Sequence, residues 1–281
     1  MAKGGKAESK KDNGAIGAVY MVTLLLWIMW LLFEIIVNKR SHFITILSAF
    51  LFFQLANLLI RLSVSRDSVV VNTAVSLLHS ALSSSFVLFI LLSRWRANPA
   101  SELFEHDQLV RNTWPWAYTA LCVSSGYFAY DQWDMLYYRL YTGPFPSILA
   151  HHFILLLCFS LALYRNVTIN YLILTLICEL HSVFLHVRKL RRMAGIRNAE
   201  SGIVKVEWVL NWFTFIFARL IPHALILIKL VRDASKFDKG IELPLALFGM
   251  IGMNALNIGL GIDLLSAYKK ESSPPHNHRS D

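Results

Sequence analysis

The chain has 281 residues, a formal net charge of +9 and a mean hydropathy of +0.49, with 56% hydrophobic and only 16% charged residues. Soluble globules do not combine so few charges with so much apolar sequence; long apolar runs separated by short basic loops describe an all-α, polytopic helical membrane protein, in which each segment satisfies its own backbone polar groups. A membrane β-barrel would alternate every second residue. A nucleic-acid binder would gather its cations around aromatic platforms or zinc spacings. Neither pattern is present, and no nucleic-acid partner is expected.

In chain order, residues 1–14, "MAKGGKAESKKDNG", read as a disordered, Lys-rich cytosolic leader. The run 15–37 is too long for a signal-peptide core and lacks a small-residue cleavage site, so it is expected to remain as an anchor. Further apolar runs cover about 43–60, 69–92, 115–137, 147–164, 168–187, 207–230 and 243–266, giving about eight transmembrane helices. The least apolar is 115–137, where "FAYDQWDMLYY" brings Asp131 and Asp134. Residues 267–281 read as a disordered cytosolic tail. The connections 93–114 and 188–206 are polar or basic and suit the membrane interface.

Eight spans place both termini on one side. Sixteen Lys and Arg then fall on the terminal side against nine on the other, a bias that predicts cytosolic termini. Arg188, Lys189, Arg191 and Arg192 fit this as a positive anchor, and Trp114, Trp116 and Trp208 fit an interfacial aromatic belt. The sequon Asn166-Val167-Thr168 falls on the lumenal side but in a hairpin too short to be reached, so no glycan is expected. Cys122, Cys158 and Cys178 lie inside apolar runs and imply small core residues, not disulfides.

Ionisable residues inside spans are functional candidates, since each costs a few kcal/mol at the bilayer centre unless it meets a partner or water. Asn72, His79 and Ser83 share one face of the third segment, and Asp131 and Asp134 one face of the fourth. Glu179, Ser182 and His186 form a stripe on the sixth, with His181 and Arg188 on another. Asn211, Arg219 and His223 follow a four-residue ladder on the seventh, where Pro222 is expected to disturb the helix. A shared polar interior accommodates all of them. Glu34, in the first segment, has no evident partner.

His151 and His152 open the fifth segment, "ILAHHFILLLCFSLALY". Neighbours on a helix diverge by about 100°, so the two imidazoles should meet different partners and not clamp one metal. A buried neutral imidazole keeps a lone pair as base or nucleophile, and Asp131 or Glu179 could orient its other nitrogen. Such a set suits acyl transfer. The alternative role for a membrane histidine, His79, His181 and His223 above all, is a hydrogen-bonded packing group between helices. No zinc, di-iron or haem spacing is found, so no metal and no bound cofactor are expected.

The stretches "LLHSALSSS", "SSGYFAYDQWDML", "ILAHHFILLL", "ICELHSVFLHVRKL" and "LNWFTFIFARL" follow one another as in TLC-domain membrane proteins, over about residues 69–266. The ceramide synthases of that superfamily carry a longer signature. This chain keeps its opening pair as His151 and His152 and its asparagine as Asn166, but Cys178, Glu179, Ser182 and His186 depart from it. "GYFAYD" and the run Glu179, Ser182, Phe184, Leu185, Arg188 resemble the smaller TLC-domain-containing proteins instead.

The resemblance implies a six-helix TLC core over 69–266 after two N-terminal helices within 15–68, residence in the endoplasmic reticulum or a related endomembrane, and a role in lipid metabolism or membrane-lipid homeostasis. Its enzymatic form would be a sphingolipid-type N-acyltransferase taking acyl-CoA as co-substrate, with His151, His152, Asp131 and Glu179 catalytic. His79, Asp134, Ser182, His186, Asn211 and Arg219 would then contact the lipid. Its other form is a non-enzymatic lipid sensor, carrier or chaperone. Membrane lipids and long acyl groups are the expected partners in either case; oligomeric state is left open.

Overall fold

The computed structural model describes residues 2–97, 99–141, 146–198 and 201–272. Among them the order is α1 (Ala2–Ile36), α2 (Ile44–Ser63), α3 (Ser68–Ala97), α4 (Ala100–Leu103), α5 (His106–Val110), α6 (Ala117–Tyr137), α7 (Ser147–Arg165), α8 (Ile169–Thr175), α9 (Glu179–Met193), α10 (Gly202–Thr214), α11 (Ile221–Arg232) and α12 (Glu242–Ser272). No strand occurs among the described residues, so the fold is all-α. Seven rods are long and apolar enough to cross a membrane: Gly14–Ile36, Ser41–Ser63, Ser68–Ala97, Ser147–Arg165, Ile169–Met193, Gly202–Arg232 and Glu242–Glu271.

The eighth crossing is α6, which is too polar to qualify by hydropathy. It begins beside the ends of α5 and α7 and finishes beside Arg61 at the end of α2, so it passes from one face of the bundle to the other. It also packs against α1, α2, α3, α7 and α8. Protein, not lipid, is its solvent, and that is why it tolerates Gln132 and two aspartates. By contrast α1 and α12 bury little of their surface and turn residues such as Leu26, Met29, Phe248 and Ile258 outward, as lipid-facing helices do.

Gly126 explains how α2 and α6 come so close. A β-carbon there would lie 2.6 Å from Ala49 Cβ and 2.8 Å from the Phe50 nitrogen, so only a bare backbone fits. Close approach through small residues is the usual way membrane helices gain dispersion energy where no hydrophobic drive exists.

Two loop faces result. The connections 37–43, 99–116, 166–168 and 233–241 share one face, tied by Arg165 to Glu242 at 2.7 Å, Arg40 Nη1 to the Tyr164 carbonyl at 2.9 Å and the Thr168 amide to the Val110 carbonyl at 2.8 Å. The described parts of the remaining connections, 64–67, 138–141 and 194–198, lie on the other, with the end of α12. There Arg197 is bonded to Glu207 and Glu271, and its guanidinium lies 5.8 Å from the Trp208 ring. Burial works against the Arg197 charge, but the bonds to Glu271 and Glu207 prevail and hold its pKa up.

Several expectations change. The helix of α1 continues back to Ala2, because a formed helix propagates cheaply through Ala, Lys and Glu residues and the leader supplies them. At the other end α12 carries the chain in helix to Ser272, held by Glu271; residues 273–281 of the expected tail lie outside the described residues. Glu34 does have partners: it accepts from Asn38 Nδ2 at 3.0 Å and pairs with Arg40 Nε at 3.3 Å. Trp114 and Trp208 are buried and not a belt, while Trp116 is exposed as expected. Trp208 instead stacks under the Arg188 guanidinium at 4.0 Å, which makes Arg188 part of a buried clasp and not a free anchor.

Two predictions follow from this packing. Gly126→Val should cost about 1–3 kcal/mol by overpacking the α2/α6 seam, read as a lowered melting temperature of the detergent-solubilised protein. The second concerns the loop face, where Asp233 bonds Lys229 and Lys236 beside His106. Burial raises the Asp233 pKa, yet those two ammonium groups outweigh it and hold it below the usual value, while burial lowers that of His106. Both groups bind protons more readily unfolded than folded, so their contribution is complete above about pH 6.5 and is lost on acidification. Hydrogen-exchange protection factors in residues 99–116, corrected for the intrinsic pH dependence of amide exchange, should therefore fall between about pH 6.5 and 3, and Asp233→Asn should flatten the lower part of that fall.

Candidate functional site

Two polar clusters meet at the centre of the bundle. The first surrounds the carboxylates of α6. Asn72 of α3 donates to Asp131 Oδ1 at 2.6 Å and Asp134 Oδ2 at 3.1 Å, and so bridges both acids through one amide. Asn57 of α2 donates to Asp134 Oδ1 at 2.9 Å and to the Tyr130 hydroxyl at 2.7 Å. Arg61 holds the Asn57 carbonyl at 2.8 Å and lies 3.8 Å from Asp134. The second oxygen of Asp131 accepts from the Tyr127 hydroxyl at 3.3 Å and sits 3.5 Å from His152 Nε2. A carboxylate only accepts, so Nε2 is the nitrogen that turns a proton toward it, and Nδ1, enclosed without a partner, keeps the lone pair.

From there the cluster continues across α3. The His79 ring stacks on Tyr127 with centroids 3.7 Å apart and planes 5° from parallel. Its Nε2 is 3.3 Å from Ser124 Oγ and its Nδ1 is 3.9 Å from Glu179 Oε2. Ser80 donates to the same Glu179 oxygen at 2.6 Å.

The second cluster is built on Arg219. The rod Gly202–Arg232 is interrupted by a π-helical turn over Phe215–Leu220, just ahead of Pro222. This is the form taken by the expected disturbance: proline lacks the amide that an unbroken ladder needs, and the wider turn absorbs the mismatch. It sets Arg219 and His223 on the interior, where Arg219 donates to His181 Nδ1 at 3.1 Å, Ser182 Oγ at 2.7 Å, the Cys178 carbonyl at 3.3 Å and Asn257 at 3.4 Å. Because arginine only donates, His181 carries its lone pair on Nδ1 and is neutral. His223 donates from Nδ1 to the Arg219 carbonyl at 2.8 Å, which leaves its buried Nε2 as an unpartnered acceptor. Asn211 does not join the ladder. It bonds the Glu207 carbonyl of its own helix at 2.8 Å, since the π turn rotates the residues beyond it.

Between the clusters opens a narrow, partly open cavity of about 70 Å³. His151, Glu179 and His223 stand at one end. The remaining wall is mostly apolar, with Leu155, Cys158, Leu172, Ile226 and Met250 among its residues. The slot follows α7 from His151 to Ala162, about 16 Å at 1.5 Å per residue, toward Val167 and Glu242 at the loop face.

Of the residues singled out from sequence, His151 and Glu179 line this cavity. His152 and Asp131 lie directly behind, with the two histidine rings 5.5 Å apart. His79, Asp134, Ser182 and Arg219 form the next layer. His186 sits further along α9, its Nδ1 buried without a partner, and Asn211 is a packing group. Asn57 and Asn257 escaped the sequence reading because amides in apolar runs carry no motif, and Tyr127 and Tyr130 entered it only within the stretch "GYFAYD", without a role; spacing against Asp131 and Asp134 only acquires meaning across helices. Among the described residues no three His, Cys, Asp or Glu converge as metal ligands would.

Replacing Asn72 by Leu should leave two buried carboxylate oxygens without their donor and destabilise the protein by about 1–3 kcal/mol. Thr73→Val, whose hydroxyl only returns to the Val69 carbonyl, serves as the control and should melt close to wild type.

A model of the TLC domain matches residues 70–266. TLC domain-containing protein 2 of Mus musculus is 28% identical over 203 residues, 72% of this chain and 62% of that protein, so the chain spans less than two thirds of its length. The Homo sapiens counterpart is 29% identical over 73% of this chain and 75% of its own. TLC domain-containing protein 1 of Rattus norvegicus is 29% identical over 54% of this chain and 58% of that protein. No solved structure matches. The family match spans most of the chain and covers every helix that lines the cavity and builds the Arg219 cluster, leaving only α2 of the carboxylate cluster outside it, and the chain therefore belongs to the TLC-domain family of multi-pass membrane proteins.

Proposed function

We propose that this protein acts in membrane-lipid metabolism by seating a long acyl group in the α7 cavity and transferring it from coenzyme A to an amine. The observation that carries the reading is the slot itself: an apolar channel about 16 Å long ends at imidazoles, one of which stands beside a carboxylate-oriented neighbour. Apolar walls select the chain, and the polar end meets its carbonyl.

In this reading a ring nitrogen of His151 attacks the thioester carbonyl, the C–S bond breaks, and the thiolate of coenzyme A leaves. The acceptor amine then attacks the acyl carbonyl, the C–N bond to His151 breaks and returns its neutral imidazole, and the amine proton passes to the lone pair of His152, whose cation Asp131 stabilises, and from there to the thiolate of coenzyme A. Glu179, anchored by Ser80, balances the Arg219 charge nearby. Arg188, Arg191 and Arg197 of the basic loop are already engaged with Glu207 and Glu271, so among the described residues Arg192 and Lys205, both exposed, and the half-buried Lys189 are the cations left for the phosphates of coenzyme A. We place the protein in the endoplasmic reticulum or a related endomembrane with cytosolic termini, on the Lys/Arg bias and the family.

A second reading has its own support. Ser182, which stands where ceramide synthases carry an aspartate, accepts from Arg219 through its hydroxyl, while Cys178, at the place of a histidine, meets Arg219 only through its backbone carbonyl. A cavity so lined would suit a lipid carrier or sensor without chemistry.

The test uses full-length protein purified in detergent. Mass spectrometry of bound lipid should find a long acyl species that Gly249→Leu, which fills the slot, displaces. Incubation with acyl-CoA and a long-chain amine should yield amide, and His151→Ala with His152→Ala should remove at least 100-fold of that rate, the lower range for losing positioned acid–base or nucleophilic groups. Chain retention without any product would move the assignment to the carrier reading; an empty slot in wild type would sink both.

A further inference from the structure

A second concave surface lies on the lipid-facing side of the bundle, between α3, α8 and α11. It offers a volume of about 660 Å³ and is walled by Leu88, Leu92, Leu174, Ile177, Leu225 and Ile228. Trp95 closes one end together with Lys229 and Arg232. We infer that this groove is a binding site for one membrane phospholipid and the lateral route by which an acyl chain reaches the interior cavity.

Three observations argue for that occupant. The first is length. From Pro222 to Arg232 the groove follows α11 for about 15 Å, half of the roughly 30 Å hydrocarbon core, which matches the chains of a single leaflet. The second is charge. No acidic side chain lines the groove, Lys229 is held by Asp233, and among the described residues Arg232 is exposed with no ion-pair partner. A phosphodiester at that level would receive the free guanidinium, beside the exposed indole of Trp95 at the depth where such rings settle. A chain without a phosphate, such as a free acylglycerol, would fill the same walls but leave the cation unanswered.

The third observation is continuity. Tyr171 and Ile226 line both the groove and the interior cavity, so the two spaces are separated by these side chains. The Tyr171 hydroxyl is buried there without a hydrogen-bond partner. A site whose dividing wall carries an unsatisfied polar atom is less costly to open than a well-bonded one. The groove site stands whether or not the cavity is catalytic; the route rests on the cavity being an acyl site.

The experiment places full-length protein in phosphatidylcholine nanodiscs containing a phosphatidylcholine probe with a diazirine in mid-chain, and maps cross-linked peptides by mass spectrometry. Labels should concentrate on Leu92, Leu225 and Ile228, with a minority on Met250 in the cavity. Arg232→Glu should reduce groove labelling about fivefold or more, since one cation near the headgroup plane is worth about that factor, while a diacylglycerol probe should show no dependence on the substitution. Ile226→Trp should leave groove labels in place and remove those at Met250. Groove labelling no denser than at Leu26 and Met29 of α1, or unchanged in Arg232→Glu, overturns the phospholipid site. Persistent Met250 labelling in Ile226→Trp overturns the route, and its absence in wild type while native acyl lipid is still found in the slot does the same without touching the acyl-binding reading.

Discussion

Every carboxylate of α6 lies where water is scarce, and that constraint organises the bundle. An ionised acid surrounded by hydrocarbon is untenable unless donors reach it. Asp131 and Asp134 receive theirs from three other helices: Asn57 and Arg61 of α2, Asn72 of α3 and, across Asp131, His152 of α7. The most polar span must therefore be the most surrounded one. Its neighbours in turn are fixed in register by the need to bring one amide or imidazole to one oxygen, and Gly126 removes the last steric obstacle to the approach of α2.

The same logic shapes the chemistry. Because Asp131 and Glu179 are spent on fixed donors, the imidazoles around them are constrained in orientation and in which nitrogen keeps its lone pair. His152 and His223 each end with one unpartnered nitrogen enclosed in the interior, and His223 presents its ring to the cavity. Arg219 takes the role of a keystone between α9, the π turn and α12, reaching His181, Ser182 and Asn257. A buried guanidinium with mostly neutral partners keeps positive potential at the polar end of an otherwise apolar slot, where a developing negative charge or an acyl carbonyl would be accommodated.

Read residue by residue, the sequence was a good guide to which helices exist and a partial guide to where their polar residues meet. The paired histidines, Asp131 and Glu179 were recognisable because an ionisable group in an apolar run has no cheap explanation. Trp114 and Trp208 misled for the complementary reason: a tryptophan at the end of an apolar run fits the headgroup layer as well as it fits a pocket beneath Arg188, and only neighbours distant in sequence decide. Asn211 misled because four-residue spacing assumes an uninterrupted α-helix, whereas the π turn adds rotation between it and Arg219.

By itself, then, the amino-acid order determined membrane residence, the all-α class and the location of each polar stripe, because bilayer thickness and helix periodicity are local constraints that a single segment must meet. Tertiary structure decided which stripes meet. It brought Asn72 to both aspartates, set Asp131 behind His152, put His223 beside His151 at the mouth of a slot, and left Tyr171 and Ile226 as the wall between that slot and the lipid-facing groove. Those pairings span dozens of residues and depend on close approach, register and one turn of altered helix, none of which is encoded in the spacing within any one segment.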